Sequence, residues 1–185
     1  MGEGVSIRPA RAADAPALAA IYGHHCLHGL GTFEEVPPSA DEMAGRVKAV
    51  RDRGLPYLVA ELDGAVAGFA YAAPFRPRAA YRYTVEDSVY IAPDRLGRGV
   101  GKALLSRVIA ECEAMGLRQM VAVIGDSANA GSVGLHRSLG FTHQGVGESV
   151  GYKFGRWVDI VWMQRALNGG AAGPPDGPGL DLRGG

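Results

Sequence analysis

The chain has 185 residues, of which 47% are hydrophobic and 21% are charged, a balance typical of one globular domain with a substantial core. Its 19 basic and 19 acidic residues cancel, which excludes the strong net field that favours nucleic acid or an anionic membrane surface. No apolar run reaches transmembrane length, and no basic segment followed by an apolar core opens the chain. We therefore expect a cytoplasmic protein that recognises its partners locally, with no nucleic acid or membrane among them.

Apolar periodicity predicts strands and helices in the order β-α-α-β-β-β-α-β-α-β-β. The predicted strands are Ser6–Arg8, Tyr57–Leu62, Ala65–Tyr71, Thr84–Ile91, Gln119–Ile124, Phe141–Gly147 and Arg156–Arg165. The predicted helices begin near Asp14, Ser39, Val100 and Ser132. This order indicates an α/β (α+β) fold with a mixed, twisted sheet of six to seven strands and helices on both faces.

One domain is predicted over residues 5–167. Residues 1–4 are expected to be a flexible start. Residues 168–185 are rich in glycine and proline with little to bury, so their composition predicts a disordered tail.

One stretch, Glu86–Ala103, joins a predicted strand to a predicted helix through a turn with glycines at alternate positions. Its glycines and basic residues are Gly97, Gly99, Gly101, Arg95, Arg98 and Lys102. A helix start offers unpaired backbone N–H groups, and glycines let an anion approach them closely. The stretch predicts a phosphate or pyrophosphate site, with an ordinary glycine-rich helix start as the alternative.

Two common phosphate-binding loops do not fit these letters. A Walker A loop needs glycine where Leu96 stands, and serine or threonine where Ala103 stands. A dinucleotide-binding fingerprint needs glycine at the position of Lys102 and belongs after the first strand of a βαβ unit. Both are therefore excluded.

The stretch resembles instead the acyl-CoA loop of the GCN5-related N-acetyltransferases, which reads Gln/Arg-x-x-Gly-x-Gly/Ala between a strand and a helix. Gly99 and Gly101 match this pattern, but Leu96 occupies the Gln/Arg position. Arg95 or Arg98 is a candidate to replace the missing polar side chain near the pyrophosphate.

A second segment, Asn129–Phe141, is similar to the family pattern Asn-x-x-Ala/Ser-x-x-Leu-Tyr-x-x-x-Gly-Phe, with His136 in place of the tyrosine. This histidine, together with Thr84-Val85-Glu86, resembles one branch of the family: the phosphinothricin and the methionine sulfone or sulfoximine N-acetyltransferases. Further matches are Gly31-Thr32-Phe33, Tyr71-Ala72, Ala80-Tyr81, Gly151-Tyr152-Lys153 and Gly155-x-Trp157-x-Asp159.

The resemblance implies acetyl-CoA as co-substrate, a small amine or amino acid as acceptor, and a homodimer. The residues it implies for acetyl-CoA are Val89, Tyr90, Ile91, Gly97, Arg98, Gly99, Val100, Gly101, Lys102, Asn129 and Ser132. Those it implies for the acceptor are Phe33, Arg76, Arg78, Glu86, Tyr152 and Lys153. Arginine suits an acceptor of this kind because its planar guanidinium pairs with carboxylate or phosphinate groups. The alternative for the two arginines is a solvated basic loop.

The chemistry of acetyl transfer calls for a base and an acid. An amine arrives as ammonium and must lose a proton before it attacks a thioester, which assigns the base to Glu86. The departing thiolate must gain a proton, which an imidazole such as His136 can donate. A backbone N–H around Val89–Ile91 is expected to stabilise the oxyanion. The alternatives are a solvent-facing carboxylate for Glu86 and a surface or core histidine for His136.

The residues His24, His25, Cys26 and His28 are the best metal candidates in the sequence. They lack a second ligand cluster, so we predict that the protein uses no metal. Cys26 and Cys112 both fall in helical patterns, which predicts two buried thiols that direct acetyl transfer does not need.

The leading hypothesis is an N-acetyltransferase that acetylates the α-amino group of a small amino acid or analogue. A second hypothesis is acetylation of another amine: a protein N-terminus, a polyamine or an aminoglycoside. The last two are cationic and call for an acidic pocket, whereas the loop before Glu86 is basic. A third hypothesis is a non-catalytic acyl-CoA sensor. The natural substrate stays open.

Overall fold

The computed structural model of the chain describes residues 4–182, so the predictions for residues 1–3 and 183–185 lie outside it. Its strands are β1 (Ser6–Pro9), β2 (Tyr57–Leu62), β3 (Ala65–Pro74), β4 (Thr84–Ile91), β5 (Gln119–Gly125), β6 (Thr142–Lys153) and β7 (Arg156–Ala166). Its α-helices are α1 (Ala15–His28), α2 (Ala40–Asp52), α3 (Val100–Ala114) and α4 (Ala130–Ser138).

The strands form one sheet in the order β1-β2-β3-β4-β5-β7-β6, in which β4 and β5 are parallel and the other neighbours are antiparallel. The turn between β2 and β3 shows why local sequence predicts part of this order. Asp63 and Gly64 both have positive φ (53° and 76°), the backbone that a two-residue hairpin turn of Asp-Gly type requires. The predicted mixed α/β fold is confirmed.

Each face of the sheet carries its own core. On one face, α3 packs Leu104 and Val108 against strand residues such as Val85. On the other, α1 and α2 pack Leu18 and Met43 against Phe69. Because side chains alternate along a strand, consecutive residues of β4 point into different layers.

The contact between β4 and β5 is short, and this opens the centre of the sheet. The two strands pair only where Thr84–Glu86 of β4 lies beside Gln119–Val121 of β5. Beyond that point β4 stays paired with β3, and β5 stays paired with β7. From Asp87 onward the two strands therefore separate and leave a wedge-shaped opening.

The described part of the tail is docked against the domain, whereas its composition predicts disorder. Arg118 donates hydrogen bonds to the carbonyls of Gly170 and Gly173, and the Tyr83 hydroxyl donates to that of Gly177. Leu180 packs on the core below. These hydrogen bonds give the tail's backbone carbonyls partners within the protein, whereas the carbonyls of a disordered tail would be hydrogen-bonded to water.

Within residues 4–182, none of the helices has the length and apolar character needed to cross a bilayer.

Candidate active site

A cavity of about 820 Å³ occupies the opening between β4 and β5. The start of α3, helix α4 and the first residues after α1 complete its walls. Apart from Arg98, the residues predicted to bind acetyl-CoA line it: Val89, Tyr90, Ile91, Gly97, Gly99, Val100, Gly101, Lys102, Asn129 and Ser132. The structure thus brings together two motifs that are separated in sequence.

The glycine turn has the geometry that its letters predict. Gly97 and Gly99 have φ values of 74° and 78°, in the left-handed region that favours glycine, and Gly99 is the N-cap of α3. Gly101 lies close to Leu135 of α4, since a Cβ there would stand 3.2 Å from the leucine Cδ2. The open backbone N–H groups at the start of α3 therefore face a cavity large enough for a phosphate-bearing ligand.

The two arginines proposed to replace a polar residue at position 96 both pair with the β2–β3 turn. Arg95 and Arg98 lie 2.8 and 3.0 Å from the same carboxylate oxygen of Asp63. Arg95 also lines the cavity and Arg98 does not, while Leu96 is largely exposed at its edge. Of the two, only Arg95 is placed beside the cavity.

Asn129 caps α4: its side-chain oxygen accepts a hydrogen bond from the backbone N–H of Ser132 at 3.1 Å. The same residue lines the cavity. Its position therefore fits a contact to the cofactor as well as a structural role at the helix start.

Glu86 is half-buried on β4, on the face opposite α3. Burial raises the pKa of its carboxyl group, the neighbouring Asp87 raises it further, and Arg76 opposes the rise. A carboxylate with a raised pKa is a better proton acceptor than an exposed one. This environment suits a general base.

His136 is buried, and both of its ring nitrogens have partners. Nδ1 lies 2.7 Å from the Ser132 carbonyl oxygen, and Nε2 lies 2.9 Å from an Asp87 carboxylate oxygen. Because a carbonyl can only accept, Nδ1 must carry a proton, and a second proton is shared between Nε2 and Asp87. Burial by itself lowers the pKa of His136, but the hydrogen bond and charge of Asp87 raise it above the ordinary value.

Asp87 is the site residue that sequence reasoning missed. It is 5% exposed, lines the cavity at the point where β4 and β5 separate, and its Oδ1 atom lacks a hydrogen-bond partner within the described residues. The signal that could have found it is the pair of adjacent carboxylates, Glu86 and Asp87, inside an apolar strand. Successive side chains of a strand point to opposite faces of the sheet, so one of the two must face α3. Glu86 and the Asp87–His136 pair consequently approach the opening from opposite faces of the sheet.

The acetyltransferase (GNAT) family model matches residues 24–141 of the chain. This chain belongs to the GNAT family. It is 55% identical over 171 residues to the phosphinothricin N-acetyltransferase of Alcaligenes faecalis, covering 92% of this chain and 87% of that protein. It is 42% identical over 168 residues to the L-methionine sulfoximine/L-methionine sulfone acetyltransferase of Salmonella typhimurium, covering 91% and 98%.

Among solved structures, a GNAT phosphinothricin acetyltransferase from Sinorhizobium meliloti in complex with AcCoA superposes with a TM-score of 0.90. The two proteins are 48% identical, and the match covers 94% of each chain. The predictions of the family, of an N-acetyltransferase and of acetyl-CoA as co-substrate are confirmed. The cavity between β4 and β5 is lined by most of the residues predicted to bind acetyl-CoA, and its use for acetyl-CoA stays a prediction.

The structure does not bring the residues predicted for the acceptor together as one set. Arg76 and Arg78 are exposed on the loop before β4, and Arg76 stacks on Phe75 at 5.2 Å. Tyr152 is exposed on β6. These three side chains are free to meet a ligand from solvent.

Phe33 and Lys153 form a separate contact. The Phe33 ring lies against the backbone of Gly151. The buried Lys153 ammonium donates to the carbonyls of Gly29 and Thr32 at 2.9 and 2.7 Å. The structure thus engages Lys153 with the protein's own backbone.

The histidines of α1 serve packing and hydrogen bonding. His24 and His28 have ring centroids 4.9 Å apart, and His25 Nε2 lies 2.9 Å from the Ile91 carbonyl oxygen. Burial lowers the pKa of His25, so its neutral form is favoured. Over the described residues, no group of three or more His, Cys, Asp or Glu side chains is placed to hold a metal ion.

Replacing Asp87 with asparagine is expected to lower the pKa of His136 below its ordinary value of about 6.5, because burial then acts without the opposing carboxylate. The measurement is an NMR titration of the His136 ring. In the wild type the imidazolium signal should persist above pH 6.5, and in the variant it should be lost before that pH. An unchanged titration would contradict the pairing, and the exposed Asp52→Asn on α2 is the control.

The pairing of His136 with Asp87 also determines how the free energy of unfolding changes with pH. Since the pKa of His136 is raised in the folded state, the pair's contribution to the free energy of unfolding is complete below about pH 6.5. It is lost as the pH rises through the folded-state value.

Proposed function

We propose that the chain transfers the acetyl group of acetyl-CoA directly to the α-amino group of a small amino acid or analogue of the phosphinothricin, methionine sulfone or methionine sulfoximine type. The position of Glu86 carries this proposal. It is a half-buried carboxylate at the last paired position of β4 before the cavity opens, and its pKa is raised mainly by burial. The 55% identity to a phosphinothricin N-acetyltransferase supports the acceptor class.

In the first step Glu86 accepts a proton from the acceptor's ammonium group, directly or through one water molecule. The free amine then attacks the thioester carbonyl. A backbone N–H of Val89–Ile91 stabilises the resulting oxyanion. The face of the sheet that carries Glu86 is the side from which the acceptor arrives.

In the second step the C–S bond breaks, its electron pair goes to sulfur, and the thiolate takes up a proton. The Asp87–His136 pair holds the proton that this step needs, on the cavity wall where the two strands part. No acyl-enzyme forms, and the buried thiols of Cys26 and Cys112 take no part.

The acceptor's anionic groups are recognised by Arg76 and Arg78, with Phe33 as an apolar wall. Arg76 acts on the pKa of Glu86, which places its charge near the proposed base. A carboxylate or phosphinate bound there would be oriented with its amine toward Glu86. Arg95, which lines the cavity, is the arginine placed to contact the cofactor's phosphates, and Arg98 pairs with Asp63 outside the cavity.

Two other functions remain candidates. Polyamines and aminoglycosides are cationic, and the exposed arginines before β4 disfavour them. A non-catalytic acyl-CoA sensor has no need of a half-buried carboxylate on one face of the opening and a protonated histidine pair on the other. The combination favours catalysis.

The proposal includes a cytoplasmic homodimer. Val150, Tyr152, Phe154 and Trp157, at the end of the β6–β7 hairpin, are each more than half exposed. Such a cluster of exposed apolar side chains is typical of an interaction surface. The molar mass in solution, measured by light scattering, tests this part of the proposal.

A screen of thiol release from acetyl-CoA tests the function. We expect turnover with at least one of phosphinothricin, methionine sulfone and methionine sulfoximine, and a much lower rate with spermidine or an aminoglycoside. Common amino acids are included as competitors for the natural role. Release with cationic amines alone, or with none of these compounds, would overturn the proposed acceptor class.

A further inference from the structure

A short loop closes the wide end of the opening between β4 and β5. This crossing loop, Gly29–Phe33, follows α1, and Gly29, Leu30 and Gly31 line the acetyl-CoA cavity. It lies beside both separated strands: His25, four residues before it, contacts the carbonyl of Ile91 at the end of β4. At the end of β5, the Leu30 carbonyl lies against Gly125.

Two glycines make this close approach possible. A Cβ atom on Gly125 would stand 2.0 Å from the Leu30 oxygen, and one on Gly151 would stand 2.2 Å from the Phe33 ring. Neither distance is possible between real atoms, so any side chain at these positions would push the crossing loop away. The loop therefore lies directly on the backbone of β5 and β6.

The crossing loop is fastened from β6 by a buried cation. Lys153 is 1% exposed, and its Nζ donates to the carbonyl oxygens of Gly29 and Thr32, at the two ends of the turn. Within residues 4–182 no carboxylate forms an ion pair with it. Burial lowers the pKa of this ammonium. Removing a cation from water costs free energy, and the two charge-assisted hydrogen bonds offset this cost. They also tie the position of the loop to that of the lysine.

A second network holds the same loop from the α1 side. The Thr32 hydroxyl lies 2.8 Å from the Tyr22 hydroxyl, which in turn donates to Glu34, and Glu34 pairs with Arg46. These contacts orient the chain after Phe33. They do not involve the carbonyls of Gly29 and Thr32, which accept hydrogen bonds from Lys153.

We propose that Lys153 is a positioning residue that fixes the crossing loop over the opening between β4 and β5. Held in this way, the loop closes the thioester off from solvent on the α1 face, and it sets the place of Phe33 against β6. The expected effect of Lys153 on the acceptor rests on the proposed function. Its expected effect on acetyl-CoA requires only that acetyl-CoA binds in the cavity that the loop lines. Lys153 itself touches neither substrate.

The test is Lys153→Met, which keeps an unbranched apolar side chain and removes both N–H donors. Three changes are expected: faster hydrogen exchange at residues 29–33, faster acetyl-CoA hydrolysis without acceptor, and a KM for the acceptor raised about ten- to a hundredfold. The kcat at saturating acceptor should change much less than KM, a split that general destabilisation does not produce. Lys48→Met, an exposed lysine on α2, is the matched control.

A second variant keeps the proposal testable if Lys153→Met folds poorly. Gly151→Ala leaves the ammonium in place and pushes only the Phe33 end of the crossing loop away, so it should raise the acceptor KM and speed exchange at Phe33, while exchange at Gly29, still held by Lys153, changes little. Equal increases in exchange at Gly29 and Phe33 would show that Lys153 does not hold the loop. Wild-type exchange and wild-type hydrolysis in Lys153→Met would overturn the proposal. These two readouts need only acetyl-CoA, so they decide it even if the acceptor screen fails.

Discussion

Replacing Glu86 with glutamine is expected to lower kcat/KM for the acceptor by about 10²–10⁴-fold, the range that general base catalysis contributes. Glutamine keeps the shape of the side chain and cannot accept the ammonium proton. The loss should be greatest below the pKa of the acceptor's amine, where nearly all of it arrives protonated. Steady-state thiol release between pH 6 and 9 measures it.

The pH profile separates a base from a residue that only shapes the pocket. Burial raises the pKa of Glu86, so the acidic limb of the wild-type kcat profile should lie above the pH at which an exposed glutamate titrates. Glu86→Gln should lack this limb, and binding of acetyl-CoA should be unchanged. Glu148→Gln, an exposed carboxylate on β6, is the control. Wild-type kcat/KM in Glu86→Gln across this range would mean that another group removes the proton.

The parts of this protein that local rules describe could be predicted from the sequence. Asp63-Gly64 specifies a hairpin turn because its backbone requires positive φ, and the glycines at 97 and 99 specify the turn before α3 for the same reason. Alternation and helical periodicity then place the elements in order. The strands and helices follow from such short-range patterns, whereas the residues around the cavity are predicted from the resemblance to the acetyltransferase family.

The parts that depend on distant contacts could not be predicted. His136 looks like a lone helical histidine until folding brings it to Asp87, which is 49 residues away in the chain. Lys153 is predicted from the sequence as a contact to the acceptor, but its ammonium donates to backbone carbonyls more than 120 residues earlier in the chain. A motif specifies a residue type at a position, but burial and pairing depend on which segments meet across the fold.

Replacing His136 with glutamine is expected to lower kcat by about 10²–10⁴-fold, because the departing thiolate then lacks the proton that the Asp87–His136 pair holds. The wild-type kcat should fall at alkaline pH as His136 loses its proton, at a pH above that of an ordinary histidine. In His136→Gln this alkaline limb should disappear. The kcat profile at saturating acetyl-CoA and acceptor is the measurement, and the exposed His143→Gln is the control.

The double variant distinguishes the chemical role from a structural one. If Asp87 and His136 act as a unit, Asp87→Asn in the His136→Gln background should cost little more than His136→Gln alone, since the proton is already lost. Because the two residues are in contact, a purely structural pair would show the same non-additivity, but the melting temperature should then fall together with kcat and the alkaline limb should remain. An alkaline limb that survives in His136→Gln would mean that another group donates the proton. Glu86 could not produce that limb, because it acts from the other face of β4 and titrates on the acidic side.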